Sequence, residues 1–325
     1  MRKDPLSSAV VAAAADGRNV DNRGTYTVID GVAIIPIHDV IAKRMSFFME
    51  VCGGCSSQVL MRDFAAAQND ASVKGIILYA DTPGGTVDGT MEAAGVIASW
   101  RGNKPVKAFT DGMICSAGIW VVAGADEIYI SSDTNPIGSV GVVSAHINVS
   151  KREEMYGRVI TEITAGEHKR IASNYAPLTA EGRAYIQNHL DHIYTAFINH
   201  VAPMRSLDVA DHKTWADGRV FLGSESIDAR LVDGVSTLDD LINSIAAGKV
   251  SPTRQQKQKA GATGKTLTQE DGIMDVKTLK EQHPDVAAAI TSEARQGMVA
   301  ESAVGDERGR IVALASAVLG EEPGK

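Results

Sequence analysis

Apolar positions along this chain change their period several times, and the changes predict alternating helices and strands. Tyr26 to Asp30 and Val32 to Ile37 are rich in β-branched residues on either side of Asp30-Gly31, the pattern of two short strands around a turn. From Ser56 the apolar residues Leu60, Phe64 and Ala67 fall at helical spacing, and the continuous run Gly75-Ile76-Ile77-Leu78-Tyr79-Ala80 follows, as expected for a helix feeding a strand buried on both faces. The alternation continues with a helix over Val87 to Trp100, a strand over Val106 to Thr110, a helix from about Ala117 to Ala125 and a strand over Glu127 to Ile130. A further strand is expected over Val159 to Thr164. After Thr179, a plausible helix N-cap, comes a long helix whose Ile186, Leu190, Ile193, Phe197 and Val201 form one apolar stripe. Shorter helical patterns lie within Asp208 to Asp217, Ser224 to Leu231 and Leu238 to Ala247. Repeated βα units imply an α/β fold with a parallel sheet and helices outside it.

The pattern ends abruptly near Gly248. Ser251 to Gln269 is rich in Gln, Lys, Thr and Gly and nearly free of apolar residues, the composition of a flexible linker. Val276 to Leu319 is Ala- and Glu-rich and helical in pattern, without aromatics to build a core. The expected organisation is therefore a mobile N-terminal extension over 1–24, a folded domain over 25–248, a linker over 249–272 and a helical tail over 273–325.

Composition narrows the functional classes. The chain has 325 residues, 44% of them hydrophobic, and a net charge of -8, so no basic surface points to nucleic acid or an anionic membrane. Three cysteines make no disulfide framework and fit a reducing compartment. Met1-Arg2-Lys3 before the run Ala9 to Ala15 imitates a secretory signal poorly, because Asp4-Pro5 interrupts the basic region and Asp16-Gly17-Arg18-Asn19 stands where a cleavage site belongs. No stretch reaches the roughly 18 to 20 apolar residues of a bilayer span. No membrane partner, no metal and no cofactor are expected.

Two segments at strand ends could carry chemistry. Asp81-Thr82-Pro83-Gly84-Gly85-Thr86 follows the strand Ile76 to Ala80, the place where open α/β sheets bind ligands. Its adjacent glycines would let backbone N–H groups approach a substrate or face a developing oxyanion, although the same residues also make an ordinary tight turn. Asp111-Gly112-Met113-Ile114-Cys115-Ser116-Ala117-Gly118 follows the next strand and opens a helix. Ser116 would lie at a helix N-terminus that stabilises negative charge, with the Ala117 N–H aimed at the same spot; the common role of a serine there is only to cap. A serine nucleophile needs a histidine or a neutral lysine as base. None of the eight histidines has a recommending context, whereas Lys169, in Ala165-Gly166-Glu167-His168-Lys169, is offered at the end of the expected strand Val159 to Thr164. Cys52-Gly53-Gly54-Cys55 has no second cysteine pair to complete a zinc site. Gly264-Lys265-Thr266 lacks the first glycine of a phosphate loop, since Lys259 stands there. Lys151-Arg152-Glu153-Glu154 fits a solvated helix face.

Taken together, Thr82-Pro83-Gly84-Gly85, Cys115-Ser116-Ala117-Gly118, Ile137-Gly138-Ser139-Val140-Gly141-Val142 and Gly166-Glu167-His168-Lys169 resemble, in order and spacing, the signal peptide peptidase A (protease IV) family over roughly residues 25 to 247. The resemblance implies a crotonase/Clp-protease-like fold of ββα repeats. It also implies a serine peptidase with Ser116 as nucleophile, Lys169 as base, Ser139 orienting the lysine, Gly85 and Ala117 as oxyanion donors, and Gly84, Gly85 and Thr86 binding substrate. Met113-Ile114-Cys115-Ser116-Ala117-Gly118, and Glu307-Arg308-Gly309-Arg310-Ile311 in the tail, resemble the phage branch of that family. That branch implies a homo-oligomer cutting capsid and scaffold proteins, itself included, within the procapsid in the host cytoplasm. Competing readings are a general signal-peptide-peptidase-like protease, an acyl-CoA enzyme of crotonase fold, a Ser-His-Asp peptidase of the Clp type, and an assembly scaffold with a vestigial peptidase domain.

Overall fold

The structure, a computed structural model, describes residues 10–11, 13–44 and 53–249. The expected linker and tail, and Cys52, lie outside these residues. In chain order the first elements are β1 (Val20–Asn22), β2 (Thr27–Ile29), β3 (Val32–Ala42), β4 (Cys55–Ser56), α1 (Ser57–Asn69), β5 (Gly75–Gly85), α2 (Thr90–Ser99), β6 (Val106–Thr110), β7 (Ile114–Cys115) and α3 (Ala117–Val122). They are followed by β8 (Glu127–Ile130), β9 (Pro136–Gly138), α4 (Ser150–Met155), α5 (Ala180–Arg205), α6 (His212–Trp215), β10 (Val220–Leu222), α7 (Gly223–Asp228), β11 (Gly234–Val235) and α8 (Leu238–Ala246).

The main sheet runs in the order β1-β2-β3-β5-β6-β8-β11. β1, β2 and β3 are antiparallel, and the pairs from β3 onward are parallel. Its central strands are apolar throughout because both faces are covered. Ala33, Ile35, Ile37, Ile76, Leu78 and Ala80 join a core with Phe64 of α1, Ile97 of α2 and Phe197 of α5. The alternate residues Val32, Ile34, Ile77, Tyr79 and Phe109 pack on Leu241, Ile242 and Ile245 of α8. Each fully buried aliphatic side chain of this kind is worth about 1.5–3 kcal/mol.

A second layer grows from the carboxyl end of β5, where Thr82 pairs with Ile114 of β7. β7 in turn pairs with β9, and β9 with β10. The strand, short second-layer strand and helix of β6-β7-α3 form one ββα unit. β3-β4-α1 repeats the order, with β4 paired to β3 itself.

The helices begin where the chemistry of their caps dictates. Ser56 accepts from Val59 N, Thr179 from Gly182 N and Thr237 from Asp240 N. α2 starts three residues later than its apolar pattern suggests, because Thr86 to Gly89 form a turn in which Thr90 Oγ1 donates to Thr86 O at 2.7 Å.

Three expectations need correction. Val159–Thr164 is not a strand: its backbone pairs with no described strand, and Val159 and Ile163 are 90% and 94% exposed. Alternating apolar residues form a strand only when an edge is available to pair with. The extension over 1–24 is ordered in its described part, since Asn22 to Val20 pair with Thr27 to Ile29. Arg18 also donates to Asp30, Asp239 and Asn243, tying this segment to α8. Finally, Glu153 in α4 is buried and held by Arg152 and Arg158, so that helix face is not wholly solvated.

Candidate active site

Strand register brings the serines of the second and third motifs together. Cys115 pairs with Gly138 across β7 and β9, so the residues that follow, Ser116 and Ser139, leave the sheet side by side. Ser116 N donates to Gly138 O at 2.7 Å, and Ser139 N to Arg219 O at 2.8 Å. Both serines have φ of 51°, a conformation that non-glycine residues adopt at a cost of roughly 1–3 kcal/mol and that clusters at active sites. At Ser116 the strained backbone turns the chain from β7 into α3, which presents the hydroxyl at the helix start.

The glycine pair of the first motif lies against this elbow. A Cβ on Gly84 would come within 2.6 Å of Ser116 Cβ, and one on Gly85 within 1.9 Å of Ile41 O, so neither position admits a side chain without backbone movement. Thr82 fixes the turn by donating from Oγ1 to Asp39 O at 2.5 Å and accepting from Gly84 N at 3.1 Å. Thr86 N donates to Ile41 O at 2.9 Å. Successive N–H groups of a strand point to opposite edges, so the Gly85 N–H faces the other edge, where β7 leads into Ser116. The Ala117 N–H is in the first turn of α3, among the donors that a helix leaves unsatisfied.

These groups line one cavity of about 470 Å³ that includes Gly85, Ser116, Ala117, Trp120 and Ser139. Its far wall is α5, through Leu190, Tyr194 and Phe197, with Asp191 and Asp217 also in the lining. α5 is held in place at its end, where the buried Arg205 pairs with Asp233 at 2.7 Å, and in its middle, where Trp120 and Phe197 stack with centroids 4.4 Å apart.

Lys169 is not in this lining. It is exposed in a turn in which its N–H donates to Gly166 O. The turn rests against the start of α5, with His168 near Glu181 and Tyr185. No histidine lines the cavity either; His200 is largely buried, and that burial holds its imidazole below its usual pKa. Thr86 follows Gly85 but lies outside the lining. Cys115, next to Ser116, is a buried thiol pushed up to about 11, and Cys55 to about 12. Among the described residues no cluster of three His, Cys, Asp or Glu could hold a metal, and no helix is long and apolar enough to cross a membrane.

Sequence reasoning did not single out Trp120, Tyr194 or Asp217. Trp120 was within reach of it, since i+4 from the candidate serine falls on the same helix face. Asp217 comes from a loop whose approach depends on β10 pairing with β9.

A cleft at the carboxyl ends of parallel strands, with a strained serine beside converging backbone N–H groups, marks an α/β enzyme. The profile of Peptidase family S49 matches residues 98–251. The chain is 30% identical over 309 residues to the capsid assembly protease C of Escherichia phage lambda, covering 95% of this chain and 68% of that protein. The enzyme is therefore a peptidase, and the chain belongs to Peptidase family S49. It is 28% identical over 279 residues to the head-tail preconnector protein GP5 of Enterobacteria phage P21, covering 86% of this chain and 55% of that protein. Among solved structures, a ClpP1 mutant from Listeria monocytogenes matches with a TM-score of 0.41 and 12% identity, over 64% of this chain and 94% of that one.

Proposed function

We propose that this chain is a serine endopeptidase that cuts capsid assembly and scaffold proteins, itself among them, inside a phage head precursor in the host cytoplasm. Ser116 is the nucleophile, Lys169 the base, Ser139 the hydroxyl that orients the lysine, and Gly85 and Ala117 the oxyanion donors. Gly84, Gly85 and Thr86 guide the substrate backbone. The observation that carries the reading is the strand register, Cys115 opposite Gly138, that sets two strained serines in the lining of one cavity that no histidine lines. The choice of substrates rests on the names of the two phage relatives.

In the acylation step the Ser116 Oγ proton passes to neutral Lys169 Nζ as Oγ bonds to the scissile carbonyl carbon. The Gly85 and Ala117 N–H groups hold the resulting oxyanion. Collapse breaks the C–N bond, and the lysine returns the proton to the leaving amine. Water, deprotonated by the same lysine, then releases the acyl group and restores Ser116. A lysine acts as a base only when withdrawn from water. Because the Lys169 turn is exposed in the single chain, the dyad forms on assembly of further copies against the arm of residues 142–179. The exposed Val143, Met155, Val159 and Ile163 give that arm an apolar surface for burial.

The test is mass spectrometry of wild type, Ser116→Ala and Lys169→Ala incubated with denatured casein. Fragments from wild type alone are expected, with losses of at least a thousandfold in both variants. Undiminished cleavage by either variant overturns its assigned role, and no cleavage by assembled wild type favours a scaffold whose peptidase centre is vestigial.

A further inference from the structure

One face of α5 forms the far wall of the cavity. Gln187, Leu190, Asp191, Tyr194 and Phe197 line it, at the spacings of three and four residues that set side chains on one helix face. The backbone there is engaged in the helix, so Asp191, which is exposed, meets the cavity with its side chain. A second acidic residue stands beside this wall. The Tyr194 hydroxyl donates to Ala216 O at 2.6 Å, which fixes the loop that carries Asp217 into the lining. Burial first, and the Asp217 charge second, raise the Tyr194 phenol above its usual pKa, as expected of a carboxylate close by.

The two carboxylates are differently compensated. Asp217 pairs with Arg219 at 3.0 Å. The Asp191 carboxylate accepts from the neutral amide of Gln187 at 2.7 Å, and no Lys, Arg or His among the described residues pairs with it. The lining as a whole holds these two aspartates and no basic residue. Lys169, neutral when it acts as base, would offset neither.

We propose that Asp191 is a specificity residue that selects peptides with a lysine or arginine side chain near the scissile bond, with Asp217 as a weaker second carboxylate. The inference rests on the reading that Ser116 is the nucleophile and this cavity the peptide cleft. The wall suits such a side chain along its length. Val87, 40% exposed, and the half-buried Leu190 offer apolar contact to the aliphatic stem, and the carboxylate receives the cationic head in a charge-assisted hydrogen bond. Asp191 is the main partner because its charge is not already neutralised. An Asp or Glu side chain in the same place meets like charge, which is unfavourable where no basic residue relieves it.

The experiment takes a cut that assembled wild type makes in denatured casein and replaces, one at a time, the three residues on each side of the scissile bond by Lys, Met or Glu, reading kcat/KM. At one of these positions wild type is expected to prefer Lys to Met by about tenfold, the scale of one hydrogen bond to a charged group, and Met to Glu. Asp191→Asn keeps the shape and removes the charge; it is expected to bring the Lys-to-Met ratio to within about twofold, whereas Asp217→Asn leaves most of it. The ratio is also expected to shrink as salt rises from about 0.1 M to about 1 M and the screening length falls from about 10 Å to about 3 Å, a response that selection by shape does not give. A wild type with no preference for Lys at any position overturns the proposal whether or not the variants fold. So does a folded Asp191→Asn that keeps the preference, or a preference that salt leaves unchanged. Cleavage persisting in Ser116→Ala removes the nucleophile assignment; the charge selection stands if that cleavage favours Lys and loses the preference with Asp191→Asn, and falls otherwise. A wild type that cuts neither casein nor peptide overturns both.

Discussion

At the scale of single residues, the site depends on backbone strain held in place by hydrogen bonds. Ser116 and Ser139 each occupy positive φ, and each is fixed by a short N–H bond to a neighbouring strand or loop. In the sequence, Ser116 taken alone reads more readily as a helix cap than as a nucleophile. The structure removes part of that ambiguity, because the Ser116 side chain makes no capping hydrogen bond. Position 115 places a thiol beside it, and burial decides which of the two groups can react. With its pKa pushed up to about 11 by desolvation, the Cys115 thiol is ionised to about one part in a thousand at pH 8, and the thiolate is the reactive form. Iodoacetamide at pH 8 is therefore expected to leave Cys115 unmodified and casein cleavage intact, with alkylation becoming appreciable only as pH rises toward 11. Peptide mapping that finds Cys115 alkylated at pH 8, with loss of activity, would contradict this account of the site.

At the scale of elements, the strands and long helices were legible because their apolar periodicity is strong, as in Gly75–Ala80 and the stripe ending in Phe197 and Val201. The glycine motif, expected just after a strand ending at Ala80, instead forms the last part of that strand, because β5 pairs with β3 as far as Gly85, which only the register reveals. Val159–Thr164 was misread because alternation signals a strand without saying where its partner is, and this segment finds none within the described chain. The first half of α5 shows a related limit. Its Ile186 and Leu190 carry the apolar stripe, yet they are only half-buried, and Leu190 serves as cavity wall. That wall depends on its cap. Thr179→Ala removes the bond from Gly182 N and is expected to cost about 1 kcal/mol, lowering Tm by roughly 2–4 °C. Because the first turns of α5 support Gln187 and Leu190, KM is expected to rise more than kcat falls. An unchanged Tm would show that the cap is not what holds the helix start.

At the scale of the whole molecule, two sheet layers share β5, and their junction creates the cavity. One layer supplies the buried frame; the other delivers Ser116 and Ser139 to its edge. Lys169 is nominated by its sequence motif alone, and in the structure its turn belongs to an exposed arm outside the cavity lining. The central claim is that Ser116 is an activated nucleophile and that Lys169 activates it. The most direct measurement is labelling of the full-length protein, in its assembled form, by a serine-directed fluorophosphonate, with the adduct mapped by mass spectrometry in wild type, Ser116→Ala and Lys169→Ala. The account predicts a single adduct on Ser116, absent from Ser116→Ala and formed at least a hundredfold more slowly in Lys169→Ala. An adduct on another serine, or an undiminished rate without Lys169, would contradict it.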